Sequence, residues 1–227
     1  MHNTLFANGT QISSWGGVQH GVSGYPRIGV NRIFNNVVQQ SLGAFPVHVG
    51  CTAALLDANI YHARAPVRVF WKRVDSKRTY ELSPGQGLAE YQRDSGQDVH
   101  SRVAEVAFLD ARAGDFRLAS GSVAVDAGQP LTRTTKTGTG SVIPVEDVSC
   151  FSAGLKTRAR KVLEAGDEIM VADSRARIIA LDRSANTLEL DRPLRWQQGD
   201  SVSYAYAGGA PDVGAFESGF ADTLDKP

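Results

Sequence analysis

The sequence predicts an all-β chain: a parallel β-solenoid with one short helix and an inserted small antiparallel β-barrel. Three observations carry that expectation. Apolar–aromatic pairs recur at Leu5/Phe6, Ile33/Phe34 and Ile60/Tyr61, 28 and then 27 residues apart, close to Asn3, Asn31, Asn35, Asn36 and Asn59. A fixed period of this length matches one coil of a stacked repeat, in which equivalent positions lie about 4.8 Å apart and Asn side chains bond along the column. Short β-branched or aromatic runs bounded by Gly or Pro fill the intervals. Beyond Leu131 the composition changes, first to Thr and Gly, then to alternating strands separated by Asp-containing turns.

Taken in order, Pro46–Gly50 and Val67–Val74 read as strands, and the three repeat segments are expected to stack with Leu5, Ile33 and Ile60 inward. Ser83 followed by Pro84 suits a helix N-cap and first position, with Leu88, Tyr91 and Gln92 on one face and Gly96 as the stop. Val103–Leu109 and Phe116–Leu118 are strand-like. Thr132–Gly140 contains no apolar residue and reads as a linker. Runs at Glu168–Val171, Arg177–Leu181, Thr187–Leu190 and Ser201–Tyr206 then form the barrel, with a hairpin turn at Asp182–Asn186. The expected organisation is coils over 1–130, the barrel over 131–208, a closing coil segment over 209–220 and a tail over 221–227.

Composition narrows the classes. The 227 residues are 42% apolar with 23 glycines, a globular and turn-rich make-up that excludes disorder, collagen and coiled coil. Lys plus Arg (24) equals Asp plus Glu (24), which removes any overall electrostatic case for nucleic acid. No apolar run is long enough to span a bilayer, and Met1-His-Asn-Thr4 has neither the basic nor the apolar region of a secretory signal. Cys51 and Cys150 lie 99 positions apart without metal-ligand spacing and read as buried apolar residues.

The stretch Gly96-Gln-Asp98-Val-His100-Ser101, Phe108-Leu-Asp110, Gly114-Asp115-Phe116-Arg117-Leu118 and Gly121–Gly128, closed by Pro211-Asp212-Val-Gly214-Ala-Phe216-Glu217, resembles the C-terminal coils of secreted bacterial right-handed parallel β-helix proteins. Many of these are polysaccharide lyases or other carbohydrate-active proteins. The resemblance implies a right-handed β-helix, an extracellular setting and a chain that looks like a C-terminal piece. Asp126 and Asp212 are 86 positions apart, where the family has a short connection, so the barrel reads as an insertion. Val123 stands where the family commonly has Pro. Asp126, Asp212 and Glu217 are expected to cap turn amides and close the last coil.

Glycoside hydrolysis needs two carboxyl groups about 5 to 9 Å apart, and the first 80 residues offer only Asp57 and Asp75. Elimination from a uronate needs instead a cation to hold the developing enolate and a base. The eight cations of the same stretch (Arg27, Arg32, Arg64, Arg68, Lys72, Arg73, Lys77, Arg78) leave it at +6, which favours an acidic polysaccharide as partner, against the plainer reading of a solvated face beside the acid-rich stretch Glu81–Asp115. Candidate catalytic residues are His20, Tyr25, Arg27, His48 and His62. Candidate glycan-binding residues are Arg64, Arg68, Phe70 and Lys72, since strand alternation with Val67, Val69 and Trp71 inward puts Arg68, Phe70 and Lys72 outward.

Other groupings point elsewhere. Asp98, His100 and Ser101 share residue types with a catalytic triad but read as a turn. Gly85-Gln-Gly87 and Gly138-Thr-Gly140 lack a phosphate-loop context and read as turns, and Asp167, Asp173, Asp182, Asp191 and Asp200 lack calcium-loop spacing. No cofactor and no metal site is expected, and the sequence does not give an oligomeric state. The expected function is a carbohydrate-associated module without a complete active site. The alternatives are a polysaccharide lyase or a structural cap for surface attachment.

Overall fold

The computed structural model describes residues 2–6, 12–14, 31–39, 47–49, 54–63, 66–72, 77–156 and 162–219. The chain is all-β with one short helix, and it divides into two compact units: Met1–Gln129 with Asp212–Ser218, and Pro130–Pro211 with Gly219–Pro227. The barrel's expected bounds, 131–208, thus move to 130–211. The tail 221–227 lies outside the described residues.

In the first unit the chain passes repeatedly through three parallel ladders. The first pass supplies β1 (Thr4–Phe6), β2 (Ile12–Ser14) and β3 (Asn31–Phe34), and the second supplies β4 (Val37–Gln39), β5 (Val47–Val49) and β6 (Ala54–Asp57). The third supplies β7 (Ile60–His62) and β8 (Val67–Lys72). It then turns back through β9 (Lys77–Leu82) and α1 (Leu88–Ser95) to β10 (Arg102–Val103). The ladders run β1-β4-β7-β10, β2-β5-β8 with β9 antiparallel at its edge, and β3-β6.

The register corrects the expected stacking. Leu5 aligns with Val38, Tyr61 and Val103, whereas Ile33 aligns with Leu56 in a different ladder. The similarity of Asn3–Phe6 to Asn31–Phe34 misled because both combine Asn with an apolar–aromatic pair; the residues that are truly equivalent are Asn3, Asn36 and Asn59. Their side chains form a column. Asn36 Oδ1 accepts from Asn3 N (3.1 Å) and Nδ2 (3.0 Å), and Asn59 Oδ1 accepts from Asn36 N (3.1 Å) and Nδ2 (2.9 Å). At the next level the equivalent position is Ser101, whose Oγ accepts from Asn59 N (2.7 Å), while Asn59 Nδ2 donates to Asp98 Oδ1 (3.0 Å). Asp98 is fully buried and also accepts from Tyr61 Oη and Ser101 Oγ.

The first ladder is buried on both faces. Val38 and Tyr61 join Leu56, Val67, Val69, Trp71, Tyr80, Leu82 and Tyr91 in the main core. Val37 and Ile60, pointing the other way, pack under Val106, Ala124 and Val213. That explains the paired apolar residues Val37-Val38 and Ile60-Tyr61: a strand buried on both sides carries a continuous apolar run rather than an alternating one. The cover comes from the segment that carries the family resemblance, including the hairpin β11 (Phe108–Asp110) and β12 (Asp115–Leu118). Asp212, 1% exposed, accepts from Asp126 N and Ser218 N, and Glu217 accepts from Asp212 N. Asp212 and Glu217 cap turn amides, as the sequence led us to expect, whereas Asp126 takes part through its backbone N–H.

Helix α1 starts later than Ser83. Ser83 and Gln86 exchange backbone hydrogen bonds in a turn, Gly87 takes the N-cap position at φ 80°, and no side chain caps the helix. A Cβ on Gly87 would meet Glu81 O at 2.0 Å, so both the backbone angle and the close approach of β9 require glycine there. The helix ends at Gly96 in the left-handed region, donating to Gln92 O.

The second unit contains β13 (Thr132–Arg133), β14 (Gly138–Pro144), a hairpin of β15 (Gly154–Lys156) and β16 (Val162–Ala165), then β17 (Glu168–Val171), β18 (Ser174–Asp182), β19 (Thr187–Trp196) and β20 (Ser201–Tyr204). Six strands pair in the order β13-β20-β17-β18-β19-β14, and hydrogen bonds from Thr135 N to Pro144 O and from Glu146 N to Arg133 O join the two ends of that order. The expected Thr/Gly linker is therefore strand and turn: threonine's β-branch suits a strand, and Thr134 Oγ1 donates to Gln197 O and accepts from Asp200 N. Gly138 and Gly140, expected in a turn, lie in β14, where a Cβ on Gly138 would sit 2.7 Å from the Trp196 ring. Ile143, Ile169, Val171, Ile178, Leu188, Leu190 and Val202 are buried. Cys150 is buried; Cys51 lies outside the described residues.

The foot of the asparagine column gives a test. Burial holds the Asp98 carboxyl above its ordinary value, outweighing the donors around it. The folded state then binds this proton more tightly than the unfolded chain, so the associated stability is present at acid pH and lost as pH rises through the raised pKa. Asp98→Asn keeps a polar end to the column without the charge and should gain stability relative to wild type between acid and neutral pH in urea unfolding. Asp98→Ala, which orphans the donors of Asn59, Tyr61 and Ser101, should lose about 3 kcal/mol or more. Parallel pH profiles for wild type and Asp98→Asn would contradict this account.

Candidate functional site

The predicted glycan-binding stretch lies at the edge of the second ladder. Val67, Val69 and Trp71 are buried, Arg68 is exposed and Phe70 half-buried, the alternation expected of β8. Its antiparallel pairing with β9 places Arg68 opposite Glu81, Phe70 opposite Thr79 and Lys72 opposite Lys77 on the outward register. Arg68 Nε donates to Glu81 Oε1 at 2.9 Å, both side chains being about half exposed. On the inward register Arg78 meets Glu90 and Asp94 of α1 and lies over the Tyr80 ring, 5.0 Å from its centroid. Part of the local excess of cations is therefore neutralised by acids of the following stretch, as the plainer reading of the sequence held. Lys72 and Lys77 take paired register positions at the end of the two strands.

Of the catalytic candidates, His48 and His62 have described register positions, and these lie in different ladders. His20, Tyr25, Arg27 and Arg64 lie outside the described residues. His48 takes the register position beside Phe70 in β5. His62 ends β7 in another ladder, aligned with Gln39, and its Nδ1 is buried without a hydrogen-bond partner. His48 and His62 thus belong to different faces.

The third ladder assembles a group that sequence reasoning passed over. Ile33 and Leu56 pack on the core, so alternation turns Arg32 and Phe34 of β3 and Leu55 and Asp57 of β6 outward. Arg32 aligns with Leu55 and Phe34 with Asp57. The Arg32 guanidinium stands over the Phe34 ring, 6.0 Å from its centroid, within cation–π range. The next level is the turn at Gln97–Ser101, fixed by Asp98 N donating to Leu56 O and Gln97 Oε1 accepting from Leu56 N. That turn delivers His100 to Asp57: Asp57 Oδ1 accepts from His100 N at 2.7 Å and Oδ2 lies 2.7 Å from His100 Nδ1. Asp57 Oδ1 also accepts from Ala58 N. The His100 side chain is 54% exposed and that of Asp57 25%. The contact through Nδ1 fixes the orientation of the His100 ring against Asp57. Alternation around Ile33 and Leu56 could have revealed the outward set from sequence; the partnership of Asp57 with His100, 43 positions on, could not.

Charged groups in the second unit close on one another. Arg177 pairs with Glu168 and Arg192 with Asp191, and Asp191 also accepts from Arg177 N, which together hold its carboxyl down at about 2. Asp182 accepts from Ser184 N and Ala185 N, and Asp200 from Gln197 N, the turn-capping role read from the sequence. Among the described residues no three His, Cys, Asp or Glu side chains gather as a metal site.

Comparison with family models, curated proteins and solved structures found no match. If Asp57 holds the Gln97–Ser101 turn, Asp57→Ala should speed amide hydrogen exchange at Ala58 and His100 by about tenfold or more, the loss of hydrogen bonds to a charged acceptor, while Val69 and Tyr80 amides stay protected. Unchanged exchange at His100 would show that the turn is held by other contacts.

Proposed function

We propose that the first unit is the terminal part of a right-handed parallel β-helix, that the second is a small antiparallel barrel inserted into it, and that the module binds an acidic polysaccharide outside the cell. The three parallel ladders and the asparagine column support the β-helix reading, together with the resemblance of residues 96–128 and 211–217. The observation that carries the binding reading is the outward row of β8 and β9, an aromatic ring between the Arg68/Glu81 pair and the Lys72/Lys77 positions. A sugar ring stacks on an aromatic face and its carboxylate is held by neighbouring cations.

Calorimetry with alginate, pectate and a neutral glucan tests this reading. Acidic chains should bind more tightly than the neutral one, and their binding should weaken as salt screens exposed charges. Arg68→Ala with Lys72→Ala should lower affinity for acidic chains by about two- to tenfold, the scale of exposed ion pairs. Glu81→Gln, which releases Arg68, should raise it, and Phe70→Ala should weaken acidic and neutral chains alike. Equal, salt-independent affinity for acidic and neutral chains would overturn the reading.

A further inference from the structure

We infer that His2 is an acid-sensitive latch: while its imidazole is neutral it holds, through Asn35, the two segments at which the chain leaves the first unit and re-enters it, and protonation of the ring frees them. The inference stands apart from the polysaccharide reading above, because it concerns the closing contacts of the first unit rather than a ligand.

The latch grows out of the same bends as the asparagine column. His2, Asn35 and Ala58 each precede one of its asparagines, Asn3, Asn36 and Asn59, and all three sit in the left-handed region, at φ 52°, 56° and 53°. The backbone bonds of the bend repeat as well, His2 N donating to Phe34 O and Asn35 N to Asp57 O. A second stack therefore runs beside the column. In it the His2 ring meets the Asn35 amide, with Asn35 Nδ2 3.1 Å from His2 Nε2. Asparagine tolerates the left-handed angle better than most residues, and Asn35 is fully buried.

The far side of Asn35 decides which atom donates. Gln129 N donates to Asn35 Oδ1 at 2.9 Å, and Asn35 Nδ2 donates to Gln129 O at 2.9 Å. This two-point pairing with one backbone residue fixes the amide, since turning it over would set N–H against N–H and oxygen against oxygen. The atom facing the imidazole is thus an amide nitrogen, a donor with no acceptor capacity, and His2 Nε2 accepts its second proton. A protonated Nε2 would bring two N–H groups together across the same 3.1 Å. The contact exists only for a ring whose Nε2 is bare.

The segments secured in this way flank the second unit. Gln129 is the last residue of the first unit before the chain leaves it, and Asp212 is the first on its return. Asn35 O accepts from Gly214 N, Val213 N donates to Ala124 O, and the His2 ring is hydrogen-bonded to the backbone of Asp212. One imidazole and one amide therefore hold both ends. The charged groups that face the ring are the chain's amino group, which opposes a proton, and Asp212, which favours one. Behind Asp212 stand Asp126, which donates to it through its backbone N–H, and Glu217, which accepts from Asp212 N. Burial outweighs the acidic neighbour and holds the His2 pKa down at about 4. A released ring, with its ordinary value of about 6.5, binds a proton more readily than the latched one. Latching is therefore at full strength above that value and weakens as pH falls toward 4.

Hydrogen exchange on the full chain, expressed as protection factors at about pH 7 and about pH 5, tests the latch. The amides of Gln129 and Gly214 should lose protection by roughly twentyfold between the two, the ratio set by released and latched pKa values of about 6.5 and about 4, while those of Val69 and Tyr80 keep theirs. His2→Gln, whose side chain can still accept from Asn35 but takes up no proton in this range, should be equally protected at both. Asn35→Ala, which lacks the amide, should show the low protection already at neutral pH. Titration of the His2 ring by NMR in the wild type makes the test independent of how the variants fold, and its midpoint should lie near 4. A midpoint at about 6 or above would overturn the inference. So would an acid loss of protection in His2→Gln equal to that of wild type, which would assign the release to the carboxylates of Asp212 and Glu217.

Discussion

The column that runs from exposed Asn3 through buried Asn36 and Asn59 to buried Asp98 is the interaction on which the rest of the first unit depends. Strands of three or four residues cannot fix their own register, because each contributes few ladder bonds. A side chain that bonds the equivalent backbone amide and side-chain amide of the preceding pass does so, since a slip of one residue would leave a buried amide unpaired at a cost of about 1 to 3 kcal/mol per group. The column also ends in a defined way. Ser101 and Asp98 replace asparagine, and the carboxylate collects the last donors, Asn59 Nδ2 and Tyr61 Oη, at full burial. Register, the position of the Gln97–Ser101 turn and the delivery of His100 to Asp57 all follow from this one arrangement.

The same geometry decides which faces are open to a ligand. The outer side of β1-β4-β7 is sealed by Val106, Ala124 and Val213, so the residues that carry the family resemblance serve packing and capping. The other two ladders keep outward-facing side chains among the described residues. On each, an aromatic ring stands beside cations: Phe70 with Arg68 on β8, and Phe34 beneath Arg32 on β3. Glu81 pairs with Arg68, and Asp57, beside Phe34 in register, is engaged by His100.

How much of this was legible in the sequence follows from range. Alternation is local, so β8 could be oriented correctly from Val67, Val69 and Trp71 alone. The recurrence of Asn and apolar–aromatic pairs pointed to short strands that pair in parallel, but the alignment of Ile33 with Leu5 could not be checked without the ladder. Asn31–Phe34 and Asn36–Val38 are only a few residues apart and compete for the same match. The Thr-rich stretch 132–140 was misassigned because threonine serves loops and strands equally, and only its hydroxyl partners, Gln197 and Asp200, decide the matter. The helix start failed for a related reason: Ser83-Pro84 is a fair N-terminus by composition, yet a tight turn to Gln86 uses those backbone groups first.

Scarcity of acids makes the placement of Asp57 informative. In a stretch with eight cations and two acids, a carboxylate used only to neutralise charge belongs against an arginine, where a fork-like pair gains most. Asp57 instead makes its side-chain contacts with two backbone amides and an imidazole. The amides alone would suffice to hold the turn, since a cap of this kind is complete with the N–H groups of Ala58 and His100. The imidazole adds little to such a cap, being more than half exposed, and an exposed pair contributes at most about 1 kcal/mol. What the second oxygen of Asp57 does accomplish is to set the orientation of the His100 ring, on a face that also holds the Phe34 ring and the Arg32 guanidinium. Asp57 thereby ties His100 to the turn through both its backbone amide and its ring.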